Sequence, residues 1–117
     1  MAENKFSKEL KSKMDEYAHF IYKITKAFPR EEVYGVTSQL RRSGLSVILN
    51  YIEGFARKKK AVKQNFCEIS YGSLKESKYL LHFSMVEKYH SKEDYKKALG
   101  LADEIGAMLW KSLDSLR

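Results

Sequence analysis

The spacing of apolar residues decides the fold, and it is clearest in residues 10–29, which read LKSKMDEYAHFIYKITKAFP. Apolar side chains recur there every three or four positions, at Leu10, Met14, Tyr17, Ile21, Ile24 and Phe28. This period is the repeat of one face of an α-helix. Because the residue before a proline is disfavoured in helical geometry, the pair Phe28-Pro29 is expected to end the helix. The sequence therefore predicts a first helix over about residues 5–28.

Three further stretches have the same helical period. The second predicted helix spans about residues 32–57, the third about 61–90, and the fourth about 92–116 after an N-cap at Ser91. The expected inward positions are Val36, Leu40, Val47, Ile48, Tyr51, Ile52 and Phe55, then Val62, Phe66, Ile69, Leu80 and Phe83, then Tyr95, Ala98, Ala102, Ile105, Leu109, Leu113 and Leu116. Because the links are short, sequential helices should pack antiparallel. The sequence predicts an all-α protein, a single domain over residues 1–117 folded as an up-down-up-down four-helix bundle.

An excess of positive charge distinguishes the composition. The chain has 22 Lys and Arg residues against 15 Asp and Glu, which gives a net charge of +7 at pH 7. Such a surface attracts phosphates or acidic protein surfaces over long range. The apolar fraction of 44% is typical of a folded chain and excludes a disordered one.

Three features bear on the compartment. The single cysteine, Cys67, has no partner for an intramolecular disulfide. No apolar run approaches the roughly 20 residues that a membrane-spanning helix needs. The start of the chain, Met1 to Lys5, lacks the apolar segment of a secretion signal. These features predict a cytoplasmic protein with no membrane partner.

A dense cationic turn lies between the second and third predicted helices. Its members are Arg57, Lys58, Lys59, Lys60 and Lys63. Clustered lysine and arginine side chains bind the phosphates of nucleic acids, so these five residues are the candidate nucleic-acid-binding site. A charged turn that is only solvated has the same composition, and the sequence alone leaves both interpretations open.

A polar group is expected where the second and third helices pack. If their turn centres on Lys59, Glu76 lies level with Arg41 and Arg42. Because Glu76 falls on the predicted inward arc, where an unpaired carboxylate costs several kcal/mol, we expect an ion pair with one of these arginines. The alternative is a Glu76 side chain that extends outward into solvent.

Small residues of the two helices are also expected to face each other. They are Ser43, Gly44, Ser46 and Gly54 on the second helix and Ser70, Ser73, Ser77 and Ser84 on the third. Small side chains permit a close approach of two helices, and their hydroxyls can satisfy polar groups such as those of Asn50 and Glu53.

Patterns typical of enzymes and metal centres are missing from the sequence. Two Glu-x-x-His pairs, Glu16 with His19 and Glu87 with His90, are the kind of pair that binds metals in some four-helix bundles. The antiparallel register places the two pairs roughly 24 Å apart, which is too far for a shared site. No Ser/His/Asp set, glycine-rich phosphate loop or paired-cysteine motif occurs. We expect no catalytic residues, no metal and no cofactor.

Several short motifs point to a known family. Residues 28–42 read FPREEVYGVTSQLRR, residues 50–54 read NYIEG, residues 72–76 read GSLKE and residues 104–109 read EIGAML. This set resembles the family of four-helix-bundle proteins encoded within 23S ribosomal RNA intervening sequences. The likeness extends over nearly the whole chain. One departure is Tyr51-Ile52, where the family more often has Ile-Ala between the Asn and the Glu.

The resemblance implies a small bacterial protein that assembles as a ring-shaped homopentamer with a basic surface. It also implies a relation to the accessory variability determinant of diversity-generating retroelements, and therefore a reverse transcriptase and nucleic acid as partners. The positions that the motif marks in this sequence are Arg41, Arg42, Asn50, Glu53, Ser73 and Glu76. We interpret them as a structural polar seam without a chemical role.

These observations support two functional hypotheses. The first is a non-enzymatic oligomer that binds RNA or DNA, with phosphate contacts of the cationic turn repeated around the assembly. The broad apolar arc of the second helix, which suggests more than one neighbour, also favours an oligomer. The alternative is a protein adaptor that docks a reverse transcriptase or another acidic partner through the same basic surface.

Overall fold

Four helices make up most of residues 4–117, the part of the chain that the computed structural model describes. They are α1 (Lys5–Thr25), α2 (Val36–Phe55), α3 (Lys60–Val86) and α4 (Lys92–Ser115), with a short 3-10 helix at Arg30–Glu32. No strand occurs in this range, so the prediction of an all-α protein with four helices is confirmed. Residues 1–3, which the single-domain prediction and the secretion-signal argument include, lie outside the described residues.

The helix ends follow local capping chemistry. The side chain of Asn4 accepts a hydrogen bond from the amide of Ser7 at 2.8 Å and caps α1. Ser91 accepts one from the amide of Asp94 at 3.0 Å, so its predicted role as the N-cap of α4 is confirmed. The start of α2 was predicted too early, because the 3-10 turn and Gly35, whose backbone is not helical, precede its first residue.

Side-chain contacts fix the helix directions. Between α2 and α3, Ser46 meets Ser73, whereas Gly54, further along α2, meets Phe66, which is earlier in α3. Between α1 and α4, Lys13 pairs with Glu104, whereas Lys97, earlier in α4, lies over the ring of Phe20. Between α3 and α4, Lys78 pairs with Asp103 and Tyr71 meets Trp110. Neighbouring helices are therefore antiparallel, and the bundle measures 43 × 24 × 21 Å.

The core is richest along α1 and α4. All six apolar positions predicted on the first helix are buried, as are the five positions from Ala98 to Leu113 predicted on the fourth. The Tyr17 hydroxyl is hydrogen-bonded to Ser77 Oγ at 2.7 Å and joins α1 to α3 across the bundle. Burial raises the pKa of Tyr17, so this phenol stays protonated.

The predicted orientation of α3 is wrong in part. Ile69 and Phe83, expected inside, are 43% and 37% exposed, and Ile52 on α2 is exposed as well. The buried face of α3 instead carries Cys67, Ser70, Leu74, Ser77, Leu80, Leu81 and Ser84. Three serines spaced seven residues apart hold this face close to its neighbours, and each satisfies its hydroxyl on a backbone carbonyl. Small polar residues thus take the place that large apolar ones usually hold.

No helix within the described residues combines the length and the apolar character that crossing a lipid bilayer requires.

Candidate nucleic-acid interface

The five residues of the predicted cationic turn lie together at one end of the bundle but differ in their contacts. Arg57 forms an ion pair with Glu53 and stands over the ring of Phe66. Lys63 is half-buried, with its ammonium 5.6 Å from the centre of the Phe55 ring. Lys60 donates a hydrogen bond to the backbone carbonyl of Arg117 at 3.2 Å. These three side chains are held by the protein itself.

Lys58 and Lys59 differ from the other three. Both are exposed in the link between α2 and α3, and neither side chain makes a hydrogen bond or an ion pair with any residue from 4 to 117. No carboxylate of the described chain neutralises their charge, so both ammonium groups are free to bind anions.

The antiparallel fold adds further cations to this end. The start of α1 and the end of α4 lie beside the α2–α3 link, because Phe6, Phe55, Lys63 and Leu116 line one common pocket. We call this region the basic end; its cations are Lys5, Lys8, Arg57, Lys58, Lys59, Lys60, Lys63, Lys111 and Arg117. Only five of these cations, Arg57 to Lys60 and Lys63, are near neighbours along the chain, and only these are predicted from the sequence.

The opposite end of the bundle is more evenly charged. There the links that join α1 to α2 and α3 to α4 carry Glu31, Glu32, Glu87, Glu93 and Asp94 among their lysines and arginines. Glu32 accepts hydrogen bonds from the amide of Val36 and from the Tyr89 hydroxyl. The basic end also has acidic residues, since Glu53 pairs with Arg57 and Asp114 with Arg117, but the side chains of Lys58 and Lys59 have no such partner within the described residues.

A pocket of about 330 Å³ opens at the basic end, with residues from every helix around it. Its lining is largely apolar and includes Phe6, Tyr51, Phe55 and Leu116, while Lys63 and Lys111 supply two cations. Cys67 also borders the pocket, and burial raises the pKa of its thiol, so the reactive thiolate is disfavoured. Spacing along the sequence gave no signal for this pocket, because Phe6 and Lys111 are more than a hundred residues apart.

The predicted polar seam is only partly assembled. Ser46 and Ser73 share a hydrogen bond of 2.7 Å, and Asn50 donates to both the hydroxyl and the carbonyl of Ser46. The predicted register of α2 against α3 and the predicted role of the serines toward Asn50 are therefore confirmed. Glu53, in contrast, pairs with Arg57 and belongs to the basic end.

The predicted ion pair of Glu76 with Arg41 or Arg42 is wrong. Glu76 and Arg42 are exposed and line an open polar groove, and neither forms an ion pair within residues 4–117. Arg41 faces α1, where its Nε donates to Thr25 Oγ1 at 2.8 Å and its guanidinium stands over the ring of Tyr22. The error follows from the orientation of α3, since Glu76 shares the outer face with Ile69 and Phe83.

Small residues at the helix contacts are confirmed for Gly54 and corrected for Gly44. A methyl group on Gly54 would lie 2.9 Å from Phe66 Cβ, so this glycine permits the close approach of α2 and α3. A methyl group on Gly44 would meet Ile21 of α1 instead.

A second exposed feature is apolar. Ser46 lies level with Ser73, so Ile69, one turn nearer the link, lies level with the region of Leu49. Leu49 is 58% exposed, and Ile52 on the next turn of α2 is exposed too. We call Leu49, Ile52 and Ile69 the outer apolar patch. It lies along the α2–α3 side of the bundle, adjoining the basic end.

The described residues were also compared with the requirements of a metal site. Within residues 4–117, no three His, Cys, Asp or Glu side chains come together in a way that would hold a metal ion. His19 is exposed beside Asp15, and His90 lies beyond the end of α3 with its Nε2 at 3.0 Å from the carbonyl oxygen of Leu81.

The chain matches the model of a protein family described as 23S rRNA-intervening sequence protein over residues 8–111. The chain belongs to this family. The family named from the sequence motifs is therefore confirmed. The chain is also similar to a solved structure, a protein of unknown function from the S23 ribosomal protein family of Bacteroides thetaiotaomicron VPI-5482. The TM-score is 0.82 at 25% sequence identity, with 89% of this chain and 97% of the other covered. No curated protein matches the chain at a significant level.

Proposed function

We propose that this protein is a non-enzymatic, oligomeric, cytoplasmic protein that binds nucleic acid, with single-stranded RNA as the ligand of its basic end. The observation that carries the proposal is the concentration of nine cations at one end, of which Lys58 and Lys59 have no acidic partner in the described chain. Lysine and arginine clusters of this kind bind phosphates by neutralising them and releasing condensed counterions.

The contacts within the basic end divide its central cations into two groups, which we expect to bind phosphates in different ways. Arg57, Lys60 and Lys63 are held by Glu53, by the Arg117 carbonyl and by the Phe55 ring, respectively. Lys58 and Lys59 extend from the link into solvent. Because the held cations lose little conformational freedom on binding, they provide a fixed field, whereas Lys58 and Lys59 adapt to the position of a phosphate.

The outer apolar patch supports assembly. A soluble protein rarely leaves neighbouring aliphatic side chains on adjacent helices exposed without a partner. Covering Leu49, Ile52 and Ile69 with a second copy of the chain would remove them from water. The resemblance to the family favours a pentameric ring. Repetition of the basic end around such a ring would raise the affinity for a long nucleic acid, although a single site is weak.

The test of RNA binding replaces Lys58, Lys59 and Lys60 by glutamine. Log affinity for a single strand falls with log salt at a slope of about 0.7 for each phosphate contact. Three lost contacts should flatten this slope by about 2 for each subunit engaged. Because lysine acts as a point charge, the loss should be nearly the same for RNAs of different sequence. A salt titration monitored by fluorescence anisotropy measures both quantities.

A matched control removes the same charge from the opposite end. Lys26, Lys92 and Lys96 are exposed and make no ion pair within residues 4–117, so their replacement by glutamine should leave the slope close to that of wild type. Equal losses in the two triple variants would show that only net charge matters and would reject the basic end as the site. If wild type does not bind RNA even at low salt, the proposal fails, and an acidic protein partner such as a polymerase becomes the better candidate.

The assembly has its own test in light scattering. The wild type should give about five times the 13.7 kDa mass of one chain. Ile69→Glu should dissociate it, because a charge would be buried at the contact, while circular dichroism should still report a helical bundle. A wild-type mass equal to one chain would reject the oligomer.

A further inference from the structure

The pocket at the basic end is lined by both aromatic and cationic side chains. Its lining includes three aromatic side chains, Phe6, Tyr51 and Phe55, and two lysines, Lys63 and Lys111. Its volume of about 330 Å³ lies at the lower limit for small-ligand sites, which suits a group of the size of one heterocyclic ring system. A flat apolar body that carries a nearby negative charge fits this combination.

The pocket also offers hydrogen-bonding groups. The Asn4 side chain uses its oxygen to cap α1, whereas its Nδ2 donates to no residue within 4–117. Ser112 and Ser115 donate to carbonyls of their own helix and keep acceptor lone pairs free. A nucleobase edge, which alternates donors and acceptors, is a suitable partner for such groups.

We propose that the pocket accepts one unstacked base of a single-stranded RNA, with the adjacent phosphates against Lys63, Lys111 and the α2–α3 link. This inference rests on the proposed function, since it assigns to the same basic end a site for bases in addition to phosphates. Single-stranded recognition commonly pairs a cationic track for the backbone with aromatic side chains on which bases stack. Phe6 is partly exposed in the first turn of α1 and is the aromatic residue best placed to stack.

The experiment compares two oligonucleotides of equal length, an ordinary single-stranded RNA and an abasic strand that keeps the phosphates but has no bases. Wild type should bind the RNA about tenfold more tightly than the abasic strand, which is the effect expected of one base–aromatic stack. Phe6→Ala should bind the RNA only as tightly as the abasic strand. Lys111→Gln should weaken the binding of both strands by the same factor, because it removes a phosphate contact.

Two further variants control for truncation. Tyr34 is 95% exposed at the opposite end, so Tyr34→Ala removes an aromatic ring without touching the pocket and should leave both affinities unchanged. Phe6→Leu keeps an apolar side chain but has no aromatic face, and it should lose the preference for RNA as Phe6→Ala does. Phe6→Leu also provides the answer if Phe6→Ala does not fold, which circular dichroism checks.

The outcomes separate the two proposals. If wild type binds the RNA and the abasic strand equally, or if Phe6→Leu keeps the full preference for RNA, the base pocket is rejected and phosphate binding by the basic end stands. If wild type binds neither strand, both proposals are rejected, and an acidic protein becomes the expected partner of the basic end.

Discussion

Helices α1 and α3 of the same bundle distribute their apolar residues in opposite ways. In α1 the six regularly spaced apolar residues from Leu10 to Phe28 are all buried, either within the helix or just after it. In α3 the buried face contains Ser70, Ser77 and Ser84, while Ile69 and Phe83 lie outside. Packing within the bundle therefore explains where the regularly spaced apolar residues of α1 occur, but it does not explain why α3 has apolar residues on its outer face.

The outer side of α3 is where we propose the contact between copies of the chain. The bundle loses little by having serine inside, because each hydroxyl is bonded to a carbonyl or to Tyr17. Aliphatic side chains on the outside are not buried within one chain, and the proposed contact with another copy would bury them. The following experiments test the contrast between α1 and α3, from the largest expected effect to the smallest.

The largest effect should come from truncating the inner face of α1. Met14 is fully buried, so Met14→Ala should destabilise the protein by about 3 kcal/mol through lost burial and a residual cavity. Ile69→Ala on α3, in contrast, should cost less than about 1 kcal/mol in the isolated chain. Urea denaturation at a protein concentration low enough to favour single chains measures both, because assembly would otherwise add to stability.

An equal loss in Met14→Ala and Ile69→Ala at low concentration would contradict the contrast. It would mean that Ile69 is buried within its own chain. A loss in Ile69→Ala that grows with protein concentration would instead support the contact between copies.

The next effect concerns how tightly α2 contacts its two neighbours. Gly54→Ala should destabilise by about 2 kcal/mol, since the new methyl group meets Phe66 Cβ and the Lys63 carbonyl, neither of which can move freely. Gly44→Ala should be nearly neutral. Its methyl group meets only the end of the Ile21 side chain, which can rotate, and alanine gains about 1 kcal/mol of helix propensity.

Thermal unfolding of the two alanine variants measures this pair. Gly100→Ala is the control for propensity alone, because no atom outside its own helix backbone and its chain neighbours lies within 4 Å of the added methyl group. A Gly54→Ala variant as stable as Gly100→Ala would show that α2 and α3 are not in tight contact.

The sequence predicted α1 better than α3 for a physical reason. Periodicity reveals that a helix has an apolar face but not whether that face meets its own bundle or another molecule. In α1 only one face is apolar, so the sequence offered only one set of residues that could be buried. In α3 two faces carry apolar residues. The face through Ile69 and Phe83 was predicted to be buried, whereas the face with Ser70, Ser77 and Ser84 is the buried one. The false pairing of Glu76 followed from that choice.

The candidate site shows the same limit. The five cations from Arg57 to Lys63 were found because a turn brings neighbours in sequence together. The short link also fixed the register that places Ser46 beside Ser73. Lys111 and Phe6 join the site only through the packing of the chain ends, and no local pattern marks them.

A smaller effect is expected from the hydrogen bond that joins α1 to α3. Tyr17→Phe should cost about 1 kcal/mol, because Ser77 can still donate to the carbonyl of Leu74. Ser77→Ala should cost about 2 kcal/mol, since it leaves the buried Tyr17 hydroxyl without a partner. Denaturant midpoints of the two single variants and the double variant give the coupling energy. Additive losses would mean that the two hydroxyls are not bonded.

The smallest effect should be a gain in stability at the end of α3. Lys88 has φ = 65°, in the left-handed region that favours glycine, and it follows the last turn where the Tyr89 amide donates to the Ser84 carbonyl. Lys88→Gly should therefore stabilise by about 1 kcal/mol, because glycine adopts this conformation without strain. The end of α1 provides the matched control, since Lys26 has φ = −60° and Lys26→Gly removes the same charge. That variant should lose about 0.5 kcal/mol through the greater backbone freedom of glycine in the unfolded chain. A urea midpoint that falls for Lys88→Gly as it does for Lys26→Gly would show that the backbone freedom of glycine in the unfolded chain outweighs any relief at Lys88.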